Sequence, residues 1–516
     1  MIVLPAFADF ATTYDAGKPQ VVWASFVNDL ETPVSTMLKL ADNRKYSFLL
    51  ESVEGGENLG RYSLIGLRPD LIWRCCGAVC EINRHALIDD YRFEPQDEAP
   101  LESIRALLEA CRIDLPESLP PMAAGLFGYL GYDMVRLIER LPDSNPDTLG
   151  VPDAVLLRPT VMVIFDNVKG VVTVVTPVWP TAGVLTSSAW ELASARLNDV
   201  LADLERSLPY RRVGAMSPVA PGLIQTTPQT TPQQPVSNTS RAGYHAMVEK
   251  AKEYIKAGDV FQVVPSQRFA LPFTLPPFAL YRSLRRLNPS PFLFYLNFDG
   301  FTLVGSSPEI LVRLRDGRVT IRPIAGTRRR GADRTEDKAL AEDLLADPKE
   351  LAEHLMLLDL GRNDVGRVAR VGTVKVTEQF AIELYSHVMH IVSNVEGELD
   401  SERFDELDAL AAGFPAGTVS GAPKVRAMEI IDELETVRRS FYGGCVGYFS
   451  ASGAMDTCIA LRTGLVKDGI LYVQAGGGVV ADSDPEAEYQ ETVNKAKALV
   501  RAAEDAARFV QGHDLD

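Results

Sequence analysis

The sequence predicts an α+β fold in which antiparallel β-sheets are flanked by helices. Apolar runs are joined by two-residue turns at Asp299-Gly300, Asp316-Gly317 and Asp468-Gly469. Asp-Gly is the chemistry of tight hairpins, which connect antiparallel strands. Long helical stretches opened by Pro348 and Pro423 separate these strand groups. Proline suits a first helical turn, where no N–H is needed. The 516-residue chain is 46% hydrophobic with mean hydropathy near zero, a globular composition with length for a large core.

Taken in order, Thr32-Pro33 followed by Val34, Met37, Leu38 and Ala41 reads as an N-cap and helix start. Tyr46–Leu50 reads as a short strand, Glu51–Gly56 as a polar turn and Tyr62–Leu67 as a second strand. Short strands with turn residues recur to about Pro177, so the N-terminal half is expected to be mainly antiparallel sheet. Ala189–Leu208 has helical spacing and many charges, and is expected to be an exposed connecting helix. Ser217–Ser240, rich in Thr, Gln and Pro, has almost nothing to bury and reads as a mobile linker. The expected organisation is therefore an N-terminal portion 1–216, a linker 217–240 and a C-terminal portion 241–516.

Beyond the linker, Tyr244, Met247, Val248, Ala251, Tyr254 and Ile255 form a helical stripe stopping at Gly258. Val260–Phe269 reads as one strand. Phe292–Phe298 with Phe301–Val304, and Ile310–Leu314 with Val319–Ile324, read as hairpins. Val446–Ser450, Thr457–Thr463 and Ile470–Ala475 form a final meander.

Several function classes are disfavoured. A net charge of −17 argues against a nucleic-acid partner. The first residues lack a basic signal-peptide segment. No uncharged apolar run spans a membrane; Val151–Pro180 comes nearest, but Arg158, Asp166 and Lys169 interrupt it. Six cysteines fit a reducing, cytoplasmic setting. Cys75, Cys76 and Cys80 lie in a strand-like run without zinc-ligand spacing.

The chemistry concentrates near the C-terminus. A strand enters Gly476-Gly477-Gly478, and a helix then carries Glu488 and Glu491, acids on one face. The Pro348 helix repeats the spacing with Glu350 and Glu353. Each pair alone reads as a solvated helix face. Two pairs, each beside a polar or glycine-rich strand end, suggest a magnesium site with oxygen ligands. Phe414–Lys424 is a small-residue loop feeding a helix N-terminus, a geometry that suits anions. It lacks Walker spacing, and Gly476-Gly477-Gly478 is not a dinucleotide fingerprint, so carboxylate is the better anion.

Pro323–Arg328, Glu353–Asp364, Phe414–Lys424, Asp456–Thr463 and Gln474–Val480 together resemble the chorismate-utilising enzymes, and within these the component I proteins of anthranilate synthases. The resemblance covers most of the chain and implies a sandwich of antiparallel sheets with flanking helices. It implies Mg2+ held by Glu353 and Glu491, with Glu350 and Glu488 close behind, gripping the ring carboxylate of chorismate. Arg462, Tyr442 and the Gly476–Gly478 amides would surround the enolpyruvyl carboxylate. Gly326 and Thr327 would touch substrate, and Lys495 would partner the acids. Glu309 would protonate the departing ring hydroxyl, and His390 would be the elimination base. His390 also fits a hydrogen-bonded core histidine in its apolar strand.

Family members that add water resemble one another in a lysine at the position of Gln262, and aminodeoxychorismate synthases in a lysine at that of Ala325. A glutamine is no base for water and an alanine no nucleophile, so both residues point to ammonia and anthranilate. Leu49–Ser52 and Asn288–Leu293 match pieces that bind feedback tryptophan, with Ser52, Pro291, Phe292 and Leu293 as contacts; Phe292-Leu293 departs from the commoner Tyr-Met. No glutamine-hydrolysing segment is recognisable. The resemblance therefore implies a separate glutamine amidotransferase subunit (component II), in a homodimer of heterodimers. An aminodeoxychorismate or aminodeoxyisochorismate synthase, or a silent tryptophan-binding subunit, remains the alternative.

Overall fold

The computed structural model describes residues 2–41, 44–54, 58–208, 234–385 and 388–510. Among the described residues its strands pair antiparallel, nearly all in one connected network, as the Asp-Gly turns predict; Gln262–Val263 and Gly421–Ala422 form a separate two-stranded sheet. The network doubles over along two long strands, Asn58–Cys76 and Ala154–Asp166. The bend falls at a register shift between Pro69 and Leu71, beside Arg68 at φ 51°. Beyond it the same two strands pair into a second face.

Side-chain alternation shows the layering. In Phe292–Asn297, Leu293 and Tyr295 join one buried cluster while Phe294 and Leu296 join another. In Ala154–Asp166, Leu156 belongs to a third cluster. One cluster lies between the two sheets, with Phe48, Phe127, Phe294 and Tyr448. Two more lie outside, under helices: Pro33–Leu40, Thr186–Glu205, Pro277–Leu287 and Pro485–Asp505 on the first sheet; Pro100–Ala110, Pro348–Gly366 and Glu406–Gly413 on the second. Strands apolar on both faces must be covered on both. The result is the expected helix-flanked antiparallel sandwich.

Local signals held where the chemistry was local. Thr32 caps its helix by accepting from the Ser35 N–H, and Gly258 ends another at φ 85°. Five expectations change. Thr186–Glu205 is not simply exposed, because Ala189, Ala193, Leu197, Val200 and Leu204 are buried on the first sheet. The expected polar turn at Glu51 is strand to Glu54, with Glu51 buried against Arg285 and Tyr281. Val260–Phe269 splits into Gln262–Val263 and Ser266–Pro272 around Pro265, which has no N–H for a ladder. Val319–Ile324 breaks before Pro323. Thr457–Thr463 breaks at Ala460–Arg462, where the chain changes sheets.

Most of the expected linker, 217–233, lies outside the described residues. Val236–Ser237 pairs with Phe269–Ala270, and Ser240 caps the next helix. Strands from either side of this segment pair directly: Ser47–Ser52 with Phe292–Asn297, and Gly125–Leu130 with Cys445–Ser450. All six cysteines are free thiols. No helix among the described residues is long and apolar enough to cross a membrane.

Candidate active site

Two chain crossings build the centre. Glu309 lies between Phe301–Ser307 of the first sheet and Ile310–Arg315 of the second. Arg462 lies between Met455–Ile459 of the second and Thr463–Lys467 of the first. The crossings are stitched together: Ser306 N–H donates to the Arg462 carbonyl at 3.2 Å and Ile459 N–H to the Glu309 carbonyl at 3.0 Å. Arg462 holds φ 50°, a left-handed conformation costly for a side-chain residue and typical of functional sites.

Burial pushes the Glu309 carboxyl up to about 8, against the pull of the Thr418 hydroxyl, Arg462 and Lys495. Thr418 Oγ1 donates to Glu309 at 3.2 Å. A carboxyl held protonated at neutral pH is a proton donor. The Arg462 guanidinium makes no side-chain hydrogen bond or ion pair among the described residues, although Glu309 and Tyr385 both act on its charge. It is a cation open to an anionic ligand.

His390 lies on Val388–Glu398 with Nδ1 3.0 Å from the Gly326 carbonyl and 3.1 Å from Thr327 Oγ1. A carbonyl only accepts, so Nδ1 carries the proton and Nε2 keeps its lone pair. Burial drives the imidazole down to about 4, so it is neutral at pH 7. Tyr385 packs its ring edge-on to His390 at 5.2 Å, and its phenol interacts with Glu309 and Arg462. Acid, cation and imidazole thus share one neighbourhood, and Tyr385 joins them without having been singled out from sequence.

The glycine run closes another wall. A Cβ at Gly476 would lie 3.0 Å from the Tyr442 phenol oxygen, and one at Gly478 would lie 2.3 Å from Gln262 Nε2. Gln262 Oε1 is buried without a hydrogen-bond partner among the described residues. Gly477 N–H already donates to the Pro265 carbonyl at 3.2 Å, so not every amide of the run is open to a ligand. Lys495 donates to the Gly476 carbonyl at 2.9 Å and pairs with Glu491 at 2.7 Å.

A family model described as chorismate binding enzyme matches residues 69–501. The chain belongs to the chorismate-binding enzyme family. It is 61% identical over 509 residues to anthranilate synthase component 1 of Cereibacter sphaeroides, covering 98% of this chain and 99% of that one. It is 50% identical over 478 residues to the protein of that name from Pseudomonas putida, covering 92% and 93%. Anthranilate synthase component I from Streptococcus pneumoniae superposes with a TM-score of 0.72 at 36% identity, over 92% of this chain and 99% of that one. The menaquinone-specific isochorismate synthase from Escherichia coli shares the fold, with a TM-score of 0.67 at 20% identity over 95% and 99%.

The four acids named from the family pattern come from opposite outer layers. Glu350 and Glu353 lie on Pro348–Gly366, and Glu488 and Glu491 on Pro485–Asp505. Burial, then Glu350 and Glu491, raise the Glu353 carboxyl, so charges from both helices meet there. Glu488 accepts from Ser483 at 2.7 Å, while its Oε2 is buried with no partner among the described residues. This oxygen-only set with one orphaned carboxylate atom fits a hard divalent cation. Among the described residues no three metal-ligating side chains already converge. Glu491 is held by Lys495, and Glu350 by Arg328 at 3.2 Å. Arg328 also grips Asp343 and Asp347, each at 2.8 Å. Arg328 and Thr418 stand inside the quoted motifs, but nothing in their spacing announces these contacts.

The expected inhibitor contacts come together. Ser52 is the register partner of Phe292, and Glu51 that of Leu293. They border a cavity of about 1240 Å³ with Pro291, Met122 and Tyr448. The Leu293 side chain itself belongs to the helix-facing core.

Proposed function

We propose that the chain is the chorismate-aminating component of an anthranilate synthase, converting chorismate and ammonia to anthranilate and pyruvate. The observation that carries the reading is Glu309, a carboxyl held protonated to about pH 8 beside Arg462, whose guanidinium is unpaired among the described residues. Near-full-length identity to proteins named anthranilate synthase component 1 supports it. Arg462 binds a substrate carboxylate and Glu309 protonates the departing ring hydroxyl as ammonia attacks. Neutral His390 then takes the proton from the aminated carbon through Nε2, the C–H electrons complete the aromatic ring, the ring C–O bond breaks, and the released enolpyruvate takes a proton from water at its methylene carbon to become pyruvate. Tyr442 and the Gly476–Gly478 wall orient the enolpyruvyl arm. Glu353 and Glu491, backed by Glu350 and Glu488, would hold Mg2+, which when bound supplies Lewis-acid charge at the ring carboxylate.

Gln262, at the glycine wall, and Ala325 offer neither a base for water nor a covalent nucleophile, which favours ammonia. We further propose that a glutamine amidotransferase subunit supplies that ammonia and that tryptophan inhibits at Ser52 and Pro291–Leu293. The test mixes purified protein with chorismate, magnesium and ammonium and follows anthranilate fluorescence together with pyruvate. Both products are expected. Amination without pyruvate would replace this reading with an aminodeoxychorismate-type activity, and absence of turnover would leave a binding role.

A further inference from the structure

Behind the site lies an ion pair that the proposed reaction does not use. Glu435 and Arg439, four residues apart just past the end of the Lys424–Leu434 helix, meet at 2.6 Å with side chains 4% and 1% exposed. Most contacts of this pair lead to the site wall. Arg439 donates to the Val419 carbonyl at 2.5 Å and to the Val264 carbonyl at 2.6 Å. Its guanidinium lies 5.4 Å from the centre of the Tyr442 ring and 4.8 Å from that of Tyr132. Glu435 accepts from the Ser266 N–H at 2.8 Å and the Ser266 hydroxyl at 2.7 Å.

Those attachment points are neighbours of working groups. Val419 follows Thr418, which donates to Glu309. Val264 and Ser266 flank Pro265, whose carbonyl receives the Gly477 N–H, and Ser266 is the register partner of Gly476. Tyr442 abuts Gly476. One guanidinium therefore ties together the loop behind the acid, the strand behind the glycine run and the phenol beside it. Burying an ion pair is poor value for stability alone, since packed apolar residues often do as well or better. A planar five-donor fork instead fixes several backbone segments in one geometry.

We propose that Glu435 and Arg439 are positioning residues for the reaction, setting Tyr442, the glycine wall and the Thr418–Glu309 contact in register. The inference rests on the chorismate reading above. The test compares wild type, Arg439→Lys and the charge-free double variant Glu435→Leu with Arg439→Met. Melting temperature, near-UV circular dichroism, KM for chorismate and kcat are measured for each. Lysine keeps the charge and loses the fork, so KM is expected to rise about tenfold or more in folded protein. The double variant removes the buried charges together and is expected to show the same rise. Mere loss of folded material would lower apparent kcat and leave KM alone. Wild-type KM and kcat in folded Arg439→Lys, or in the folded double variant, overturn the proposal. A wild-type protein that does not turn over chorismate overturns the functional reading instead.

Discussion

Glu309 and Arg462 occupy neighbouring points at which the chain passes from one sheet to the other, and their backbone carbonyls each receive an N–H from the other's crossing, at 3.0 and 3.2 Å. Acid and cation are therefore fixed relative to each other by main chain, not by a direct ion pair. That leaves Arg462 free for a substrate anion and Glu309 free to keep its proton.

Glu309→Gln should lower turnover by at least about a hundredfold while leaving the fold intact, checked by anthranilate fluorescence and circular dichroism. In the wild type, activity should fall as pH rises through about 8, where Glu309 loses its proton. Stability carries the same signature. Between an unfolded carboxyl value of about 4.5 and the folded value of about 8, the folded chain holds a proton that the unfolded chain has released. Wild-type stability from this group therefore declines with rising pH, by about 1.4 kcal/mol per pH unit at most. Glu309→Gln should gain on wild type across that window in urea unfolding.

His390→Asn removes the free Nε2 lone pair. The aminated intermediate should accumulate without matching pyruvate, visible by chromatography of quenched reactions, with anthranilate formation down about a hundredfold. Because the wild-type imidazole is neutral down to about 4, this base should set no decline in activity between pH 5 and 7.

Glu491→Gln and Glu353→Gln should each abolish magnesium-dependent turnover with the fold retained. Calorimetric titration with magnesium should show heat for wild type and little for either variant. Unchanged magnesium binding in both would refute the ligand assignment. Arg328→Ala frees Glu350 from its 3.2 Å pair, and the same titration should show an altered magnesium affinity.

Phe292→Ala removes apolar surface from the wall of the 1240 Å³ cavity. The tryptophan concentration for half-inhibition should rise about tenfold, in line with roughly 1.5–3 kcal/mol for a buried aromatic side chain. Turnover without tryptophan should stay near wild type. Unchanged inhibition would move the inhibitor site elsewhere.

The sequence by itself determined the elements whose cause is local. Asp-Gly turns marked hairpins and Thr32 and Pro348 marked helix starts, while the family resemblance nominated Glu309, His390, Arg462 and the four acids. Turn chemistry, capping and side-chain period act over a few residues, so a linear reading captures them. Tertiary structure alone decided where strands break to change sheets, as at Arg462, and which charges find partners, as Arg328 finds Glu350 and Arg439 finds Glu435. It alone decided that Glu309 keeps its proton and His390 stays neutral. Burial and electrostatic neighbourhood depend on every layer that closes over a group, and those layers come from segments hundreds of residues apart in the chain.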